Sequence, residues 1–346
     1  MNTEQLVARV LDPDWLSEQA GRPVRAARLR IKPRTSLVVG LDDAAGHPAG
    51  WLRILWPISH NKAARTRREA GELGLETTEH ELGELLVQTG PLPADPKLLT
   101  RIAAATGSGQ LGRWEAPQVL RYNPLRRLVV RDGMRVVRVA TSRDRGVAFD
   151  RFIAGVVETP LRLDDGDLEG VSIHAFTGDL DLSDLRAARE PIPSPPDSVR
   201  AAGAMLARLH AALLDELAPD LAERMRRVVA RLPGAASAMP VLSHGDLSPD
   251  QVLTTHAGDT VWLTDFDRAC LAPRAVDLGS FLAVLDDDAF LDGYRDGGGQ
   301  VPPGDQLRRA VAASLILRAA DPLRRASRDW RRQVSANLDR IREVVT

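Results

Sequence analysis

The chain reads as an α+β protein of two lobes, strand-rich in front and helical behind. Three observations predict this. Val-rich segments of strand character gather in the first 180 or so residues. Helical spacing of apolar residues takes over from Ser198. Between the helical stretches lies a polar block, His244–Leu253, followed by a short apolar run and Asp265-Phe266-Asp267. Strands first and helices later is the order expected of an α+β protein.

At 346 residues the chain is long for one core, so two or three domains are expected. The 46 basic and 47 acidic residues leave a net charge of −1. That balance gives no global case for binding nucleic acid or an anionic membrane. The basic residues are almost all Arg, with Lys only at positions 32, 62 and 97. A single cysteine, Cys270, excludes an internal disulfide and any Cys-based metal cluster, and reads as a small buried hydrophobe. Met1–Val10 lacks the basic-then-apolar pattern of a signal peptide. No apolar run approaches the ~18 residues that a membrane helix needs. The cytosol is the expected compartment, and the oligomeric state is not indicated.

The first 140 residues carry a weak internal repeat. Arg28–Leu41 (RLRIKPRTSLVVGL) aligns with Val119–Asp132 (VLRYNPLRRLVVRD), sharing Leu29/Leu120, Arg30/Arg121, Pro33/Pro124, Leu37/Leu128, Val38/Val129 and Val39/Val130. Each copy leads into a second strand-like run, Trp51–Trp56 and Arg135–Ala140, with turns at Asp42–Gly50 and Asp132-Gly133. A polar stretch of helical character follows each, Asn61–Leu73 and Ser142–Val156. Two tandem hairpin-plus-helix units, related by duplication, are the expectation. Trp51 and Trp56 read as core.

Thr100–Gly112 shifts to small residues and reads as a linker. Glu84–Gln88 and Val171–Phe176 read as short strands, and Pro191–Pro196 as a rigid connector. Val199, Met205, Leu206, Leu209 and Leu213 then fall on one helical face. Leu221–Leu232 reads as a second helix ended by Pro233-Gly234. Ala275–Leu285, Gln306–Ala320 and Arg324–Val345 read as later helices, the second with Leu307, Val311, Leu315 and Ile316 on one side. Asp286-Asp287-Asp288 with Asp292 reads as a solvated charge run.

The polar block carries the chemistry. A protein-kinase catalytic loop spaces its base Asp and its metal-binding Asn five residues apart, and a D-F-G Asp holds the metals further on. Asp246 to Gln251 is the same interval, and Asp265-Phe266-Asp267 stands where D-F-G would. Phosphoryl transfer needs a positioned hydroxyl and charge neutralisation on the phosphates. Asp246 suits the base that takes the hydroxyl proton. Asp265 suits a Mg²⁺ ligand. Gln251 offers an amide oxygen, either to the metal or to brace the loop. Asp267 would face the same way as Asp265 in an extended segment, as a second ligand or through water. His244 is placed to orient the loop, and His210 reads as a packed helix histidine.

These residues resemble the signature of the aminoglycoside phosphotransferase / choline kinase-like superfamily: H-G-D-x-x-x-x-N, then I-D-F-G/D, then D-L-A, against His244–Leu253, Thr264–Asp267 and Asp277-Leu278-Gly279 here. Arg208-Leu209-His210 resembles the Leu-His that precedes the family's loop, and Phe176–Leu180 its turn after the hinge. The likeness covers about residues 115–346 and is specific over 242–282. The resemblance implies a bilobal protein-kinase-like fold: an N-terminal cap domain over 1–112, similar to the cap of maltokinase-like members, an N-lobe over 113–178, and a mostly helical C-lobe over 179–346. It implies ATP and Mg²⁺ as cofactors and a small-molecule hydroxyl as acceptor, on a sugar, amino sugar or antibiotic. Asp277 is then expected to hold the catalytic-loop backbone.

Two departures stand out. The family's Asn is Gln251, whose extra methylene moves the amide by about 1.5 Å. The strand lysine that pairs with nucleotide phosphates is absent. Arg138 occupies the best-matching place, with Asp150 as the nearest helix acid; Arg53 and Glu69 correspond in the first repeat unit. No glycine-rich loop is present in Tyr122–Arg127. These departures leave open a second reading, a catalytically inactive pseudokinase that binds a small molecule or a partner.

Overall fold

A computed structural model describes residues 2–115, 118–142, 145–187, 195–212, 223, 240–258 and 260–345. The chain divides into two compact units. The first comprises Met1–Asp144, Leu163–His174 and Ala320–Ser335; the second comprises Arg145–Arg162, Ala175–Ala319 and Ala336–Thr346. Among the described residues no helix is long and apolar enough to cross a membrane.

The first unit opens with two short helices, α1 (Thr3–Val10) and α2 (Pro13–Ala20). Both begin on side-chain caps: Asn2 and Gln5 form a reciprocal box on α1, and Asp12 accepts from the Asp14 amide on α2. An antiparallel sheet follows, built from β1 (Arg25–Lys32), β2 (Ser36–Asp42), β3 (Pro48–Leu55), β4 (Thr78–Leu82) and β5 (Leu85–Gly90) in the order β1-β2-β3-β5-β4. Helix α3 (Asn61–Glu72) joins β3 to β4. Leu6, Leu16, Leu37, Ile54 and Val87 meet in the core beneath this sheet.

The presumed linker at 100–112 is mostly helix: α4 spans Leu99–Gly107. Leu99, Ile102 and Ala105 recur every three residues and are buried, and alanine supplies the propensity. A second antiparallel sheet, β6 (Val119–Asn123), β7 (Arg127–Asp132), β8 (Arg135–Ala140) and β9 (Val171–Ala175), lies in the order β6-β7-β8-β9. Its core joins Val130, Val137 and Tyr122 to Leu98, Ile102 and Trp51. Trp51 is fully buried and its indole donates to Pro91 O at 3.1 Å; Trp56 is only partly buried.

The internal repeat extends to backbone conformation. Each aligned segment holds a whole hairpin, β1–β2 or β6–β7, rather than the single strand that its sequence suggested. The turns match residue for residue. Arg34 and Leu125 both adopt left-handed φ values, 54° and 60°. The Thr35 amide donates to Lys32 O, and the aligned Arg126 amide to Asn123 O, each at 3.0 Å. Non-glycine residues seldom take positive φ, so its recurrence at aligned positions supports duplication over chance similarity.

The second unit contains α5 (Val147–Ala154), β10 (Leu180–Asp181), α6 (Leu182–Ala187) and α7 (Pro195–Ala211). Residues 191–194, Leu213 and the helix expected over Leu221–Leu232 lie outside the described residues, Glu223 excepted. On α7, Val199, Met205, Leu206 and Leu209 are buried, as their spacing requires. Short strands β11 (Val241–Ser243), β12 (Val252–Thr254), β13 (Val261–Leu263) and β14 (Cys270–Ala272) bracket the polar block. Helices α8 (Ala275–Leu282), α9 (Asp288–Asp296) and α10 (Gly304–Arg318) follow, and α11 (Trp330–Val345) is divided between the two units after Ser335.

The acidic run at 286–292 is not simply a solvated stretch. Asp287 caps α9 by accepting from the Ala289 amide at 3.0 Å, and Phe290 and Tyr294 are fully buried on that helix. α7 and α9 pack almost backbone to backbone. A Cβ at Gly203 would stand 2.0 Å from Phe290 O, so glycine is required there. On α10, Leu315 is buried, whereas Ile316 is 59% exposed and falls off the core face.

Candidate active site

Two strand pairs position the polar block. β11 pairs with β14, setting Ser243 opposite Cys270, and β12 pairs with β13, setting Val252 opposite Leu263. Residues 244–251 and 264–269 are therefore two loops tied together at both ends. The ties continue between the loops: the Thr264 amide donates to Gln251 O at 3.0 Å, and His244 Nε2 donates to Thr264 O at 2.9 Å. That bond places a proton on Nε2, and His244 Nδ1 is buried with no partner among the described residues. Gly245, at φ 83°, has room for no Cβ, which would lie 2.2 Å from Arg268 O.

Asp277 anchors the first loop from beneath. It is fully buried at the start of α8. Its Oδ2 accepts from the His244 amide at 2.7 Å and from His210 Nε2 at 3.1 Å, and its Oδ1 accepts from the Gly245 amide at 2.7 Å. His210 Nδ1 in turn accepts from the Tyr294 hydroxyl at 2.8 Å. Burial pushes the Tyr294 hydroxyl up to about 12, so it remains a donor at neutral pH. A buried carboxylate satisfied in this way sets the backbone on either side of Gly245, and hence the direction of Asp246.

Asp246 itself is about one-third exposed. Its Oδ2 lies 3.2 Å from Arg268 Nη1 and its Oδ1 lies 3.4 Å from Arg318 Nη2, which also donates to Ser280 Oγ. Sequence reasoning missed both guanidiniums. Arg268 adjoins the Asp265–Asp267 motif, which was its only signal; Arg318, on α10, had none.

Gln251 closes the loop in a short 3₁₀ turn begun by Pro249. Its side chain is buried, and Oε1 has no hydrogen-bond partner among the described residues. An unmet buried carbonyl oxygen is uncommon and calls for a ligand or a cost elsewhere. Asp265 is partly exposed and sits at φ 66°, a left-handed conformation that non-glycine residues hold mainly at functional or strained positions. The segment after it is not extended. Phe266–Arg268 forms a 3₁₀ turn, so the period-two argument that aimed Asp267 beside Asp265 does not apply. Arg145 donates to Asp267 O and Ala269 O, bracing that turn through its backbone. Cys270 is partly buried, and burial pushes its thiol up, which keeps it protonated.

The remaining expected residues belong to other elements of the chain. Arg138 is on β8 in the first unit, facing Val129 across the ladder. Asp150, on α5, accepts from Arg162 Nη1 at 2.6 Å. Arg53 and Glu69 do not pair with each other. Arg53 is buried and donates to Gln88, Thr66 and Lys62 O, while Glu69 accepts from Arg65 at 2.7 Å. Burial pushes Arg53 down to about 10, which leaves it cationic at neutral pH.

No curated protein sequence matches the chain. Similar solved structures include a choline/ethanolamine kinase family protein from Mesorhizobium loti, with 17% identity over 71% of this chain and 93% of that one, and a TM-score of 0.48. An aminoglycoside-3'-phosphotransferase of type VIII has 21% identity over 61% of this chain and 96% of its own, with a TM-score of 0.46. A choline kinase from Streptococcus pneumoniae has 12% identity over 71% and 98%, with a TM-score of 0.45. The model of the phosphotransferase enzyme family, APH, matches residues 78–313, well over half of the chain and all of the loop pair above. The chain therefore belongs to the APH phosphotransferase family, whose members transfer a phosphoryl group to a hydroxyl.

Proposed function

We propose that the protein is an ATP-dependent kinase of a small molecule, phosphorylating a hydroxyl of a sugar, amino sugar or antibiotic. The carrying observation is Gln251 Oε1, buried and unsatisfied one backbone hydrogen bond away from the Thr264-Asp265 segment. That oxygen and the Asp265 carboxylate are hard donors of the kind Mg²⁺ takes. Among the described residues no three His, Cys, Asp or Glu gather as a metal cluster. This suits an ion that keeps water and phosphate oxygens as most of its ligands. When bound, the metal supplies charge neutralisation on the phosphates.

Gln251 and Asp265 are its holders in this reading, with Asp267 assisting directly or through water. Asp246 accepts a hydrogen bond from the acceptor hydroxyl and takes its proton late in transfer. His244 and Asp277 orient the loop. Arg138 contacts the nucleotide phosphates. The test is ADP release over a panel of aminoglycosides, simple sugars, choline-like alcohols and peptide antibiotics. Asp246→Ala abolishes transfer to whichever acceptor responds, while Mg·ATP affinity stays within a few-fold. Full turnover in Asp246→Ala removes the base assignment.

One observation favours a second reading, the pseudokinase. Both carboxylate oxygens of Asp246 are engaged by guanidiniums. In that case wild type releases no ADP with any acceptor, and Arg318→Ala does not change this. Acceptor-dependent ADP release in wild type excludes it.

A further inference from the structure

The first unit holds a cavity of about 580 Å³, lined entirely by that unit's own residues. All three lysines of the chain, Lys32, Lys62 and Lys97, line it. They come from separate places: the end of β1, the start of α3 and the loop before α4. The chain has 46 basic residues, nearly all arginine, and only seven of them are at this cavity. A codon bias toward arginine would scatter the few surviving lysines over the surface. Their convergence on one cavity instead implies a requirement for a compact ammonium, which meets a phosphate as a point charge where guanidinium is planar and forked.

The charge around the cavity is strongly one-sided. Arg30, Arg53, Arg65 and Arg101 add four guanidiniums, against a single lining carboxylate, Glu69, which Arg65 already takes; behind the lining, Asp95 and Glu79 offset part of the charge at Arg53, and Asp95 part of that at Lys97. Arg53 is the buried cation in the cavity wall, held by Gln88, Thr66 and Lys62 O. Arg30, Lys32 and Lys97 have no ion-pair partner among the described residues. Proteins normally disperse or pair such cations, because like charges brought close together repel one another. Burial and the charges of Lys32 and Arg30 hold the Lys97 ammonium below its ordinary range, which registers that crowding. The hydroxyls of Thr35, Ser36 and Thr100 also line the space.

We infer that this cavity, formed by the first unit alone, is a binding site for a small molecule carrying two or more phosphate groups. The volume falls within the range of small-ligand sites. A single phosphate would leave most of the cations unmet; two or more phosphates engage the lysines from all three segments.

The experiment is calorimetric titration of the full chain with inorganic pyrophosphate and, in parallel, with orthophosphate, in EDTA so that no metal bridges to Asp265. Wild type is expected to bind one pyrophosphate, more tightly than orthophosphate, and progressively less tightly as salt rises. Lys32 and Lys97 are both exposed, so Lys32→Ala/Lys97→Ala retains the fold, and it is expected to weaken pyrophosphate binding about tenfold or more. If its melting temperature nevertheless collapses, Lys97→Gln alone serves, with a smaller loss in the same direction. Asp265→Ala is expected to bind pyrophosphate as wild type does. Absence of pyrophosphate binding at millimolar concentration overturns the inference. So does affinity unchanged in the lysine variants, affinity no better than for orthophosphate, or affinity lost in Asp265→Ala.

Discussion

Replacing Asp277 by Ala would leave three buried donors without an acceptor: the His244 amide, the Gly245 amide and His210 Nε2, now at 2.7, 2.7 and 3.1 Å. Each stranded donor costs roughly 1–3 kcal/mol. The costs overlap, because the loop can shift once the anchor is gone, so the total expected is about 3–5 kcal/mol rather than the full sum. For a unit of this size that corresponds to a fall in melting temperature of roughly 10 °C or more. Asp277→Asn is the sharper variant. Its carbonyl oxygen keeps one amide donor, while its NH₂ faces the other, so about 2 kcal/mol is expected with the shape unchanged. The assay is guanidinium denaturation of both variants, paired with ADP release measured well below either midpoint. Because Gly245 adjoins Asp246, turnover should fall in Asp277→Asn even where the chain is fully folded. An Asn variant within about 0.5 kcal/mol of wild type, the usual range of neutral surface changes, and with unaltered turnover would refute the anchoring role.

Other expectations follow from particular contacts. Gln251→Asn should retain or raise ADP release, since it restores the shorter amide at the metal-facing position; complete loss would mean that the loop has been rebuilt around glutamine. Asp287→Ala removes the α9 cap and should cost about 1 kcal/mol by denaturant midpoint, with activity unchanged. Lys97→Gln should raise the melting temperature of the unliganded protein at neutral pH and lower it in saturating pyrophosphate. The sign follows from linkage: the folded pKa of Lys97 lies below its ordinary 10.5, so folding disfavours the charged form. That cost is present throughout neutral pH and is relieved as pH rises from the lowered value through 10.5. Wild type should therefore gain stability relative to Lys97→Gln across that alkaline window, as followed by melting curves.

Much of this architecture was legible because local pattern and tertiary role agreed. The Val-rich repeats became strands, and the apolar spacing on α7 became a buried face. The spacing of Asp246, Gln251 and Asp265 lay on loops that short apolar strands do tie together. Misreadings came where composition spoke against a small buried face. α4 looked like a linker because Gly and Ser crowd its end, yet three buried side chains every third residue suffice to dock it. α9 looked like a charge run because its acids crowd around Phe290 and Tyr294, the pair that buries it. α1 and α2 are two turns each and depend on caps more than on periodicity. Arg268 and Arg318 could not be found from sequence, since their meeting at Asp246 is made by packing between elements 50 residues apart. The lysines were conspicuous as a count, but only the placement of β1, α3 and the turn before α4 gathers them.

The central claim is that Asp265, with Gln251, holds magnesium-bound nucleotide beside Asp246. Titration calorimetry of Mg·ATP into wild type and Asp265→Ala tests it most directly. Wild type is predicted to bind at micromolar to millimolar concentration and Asp265→Ala to lose that binding. Equal affinity in the two proteins, or none in wild type at millimolar nucleotide, would contradict it.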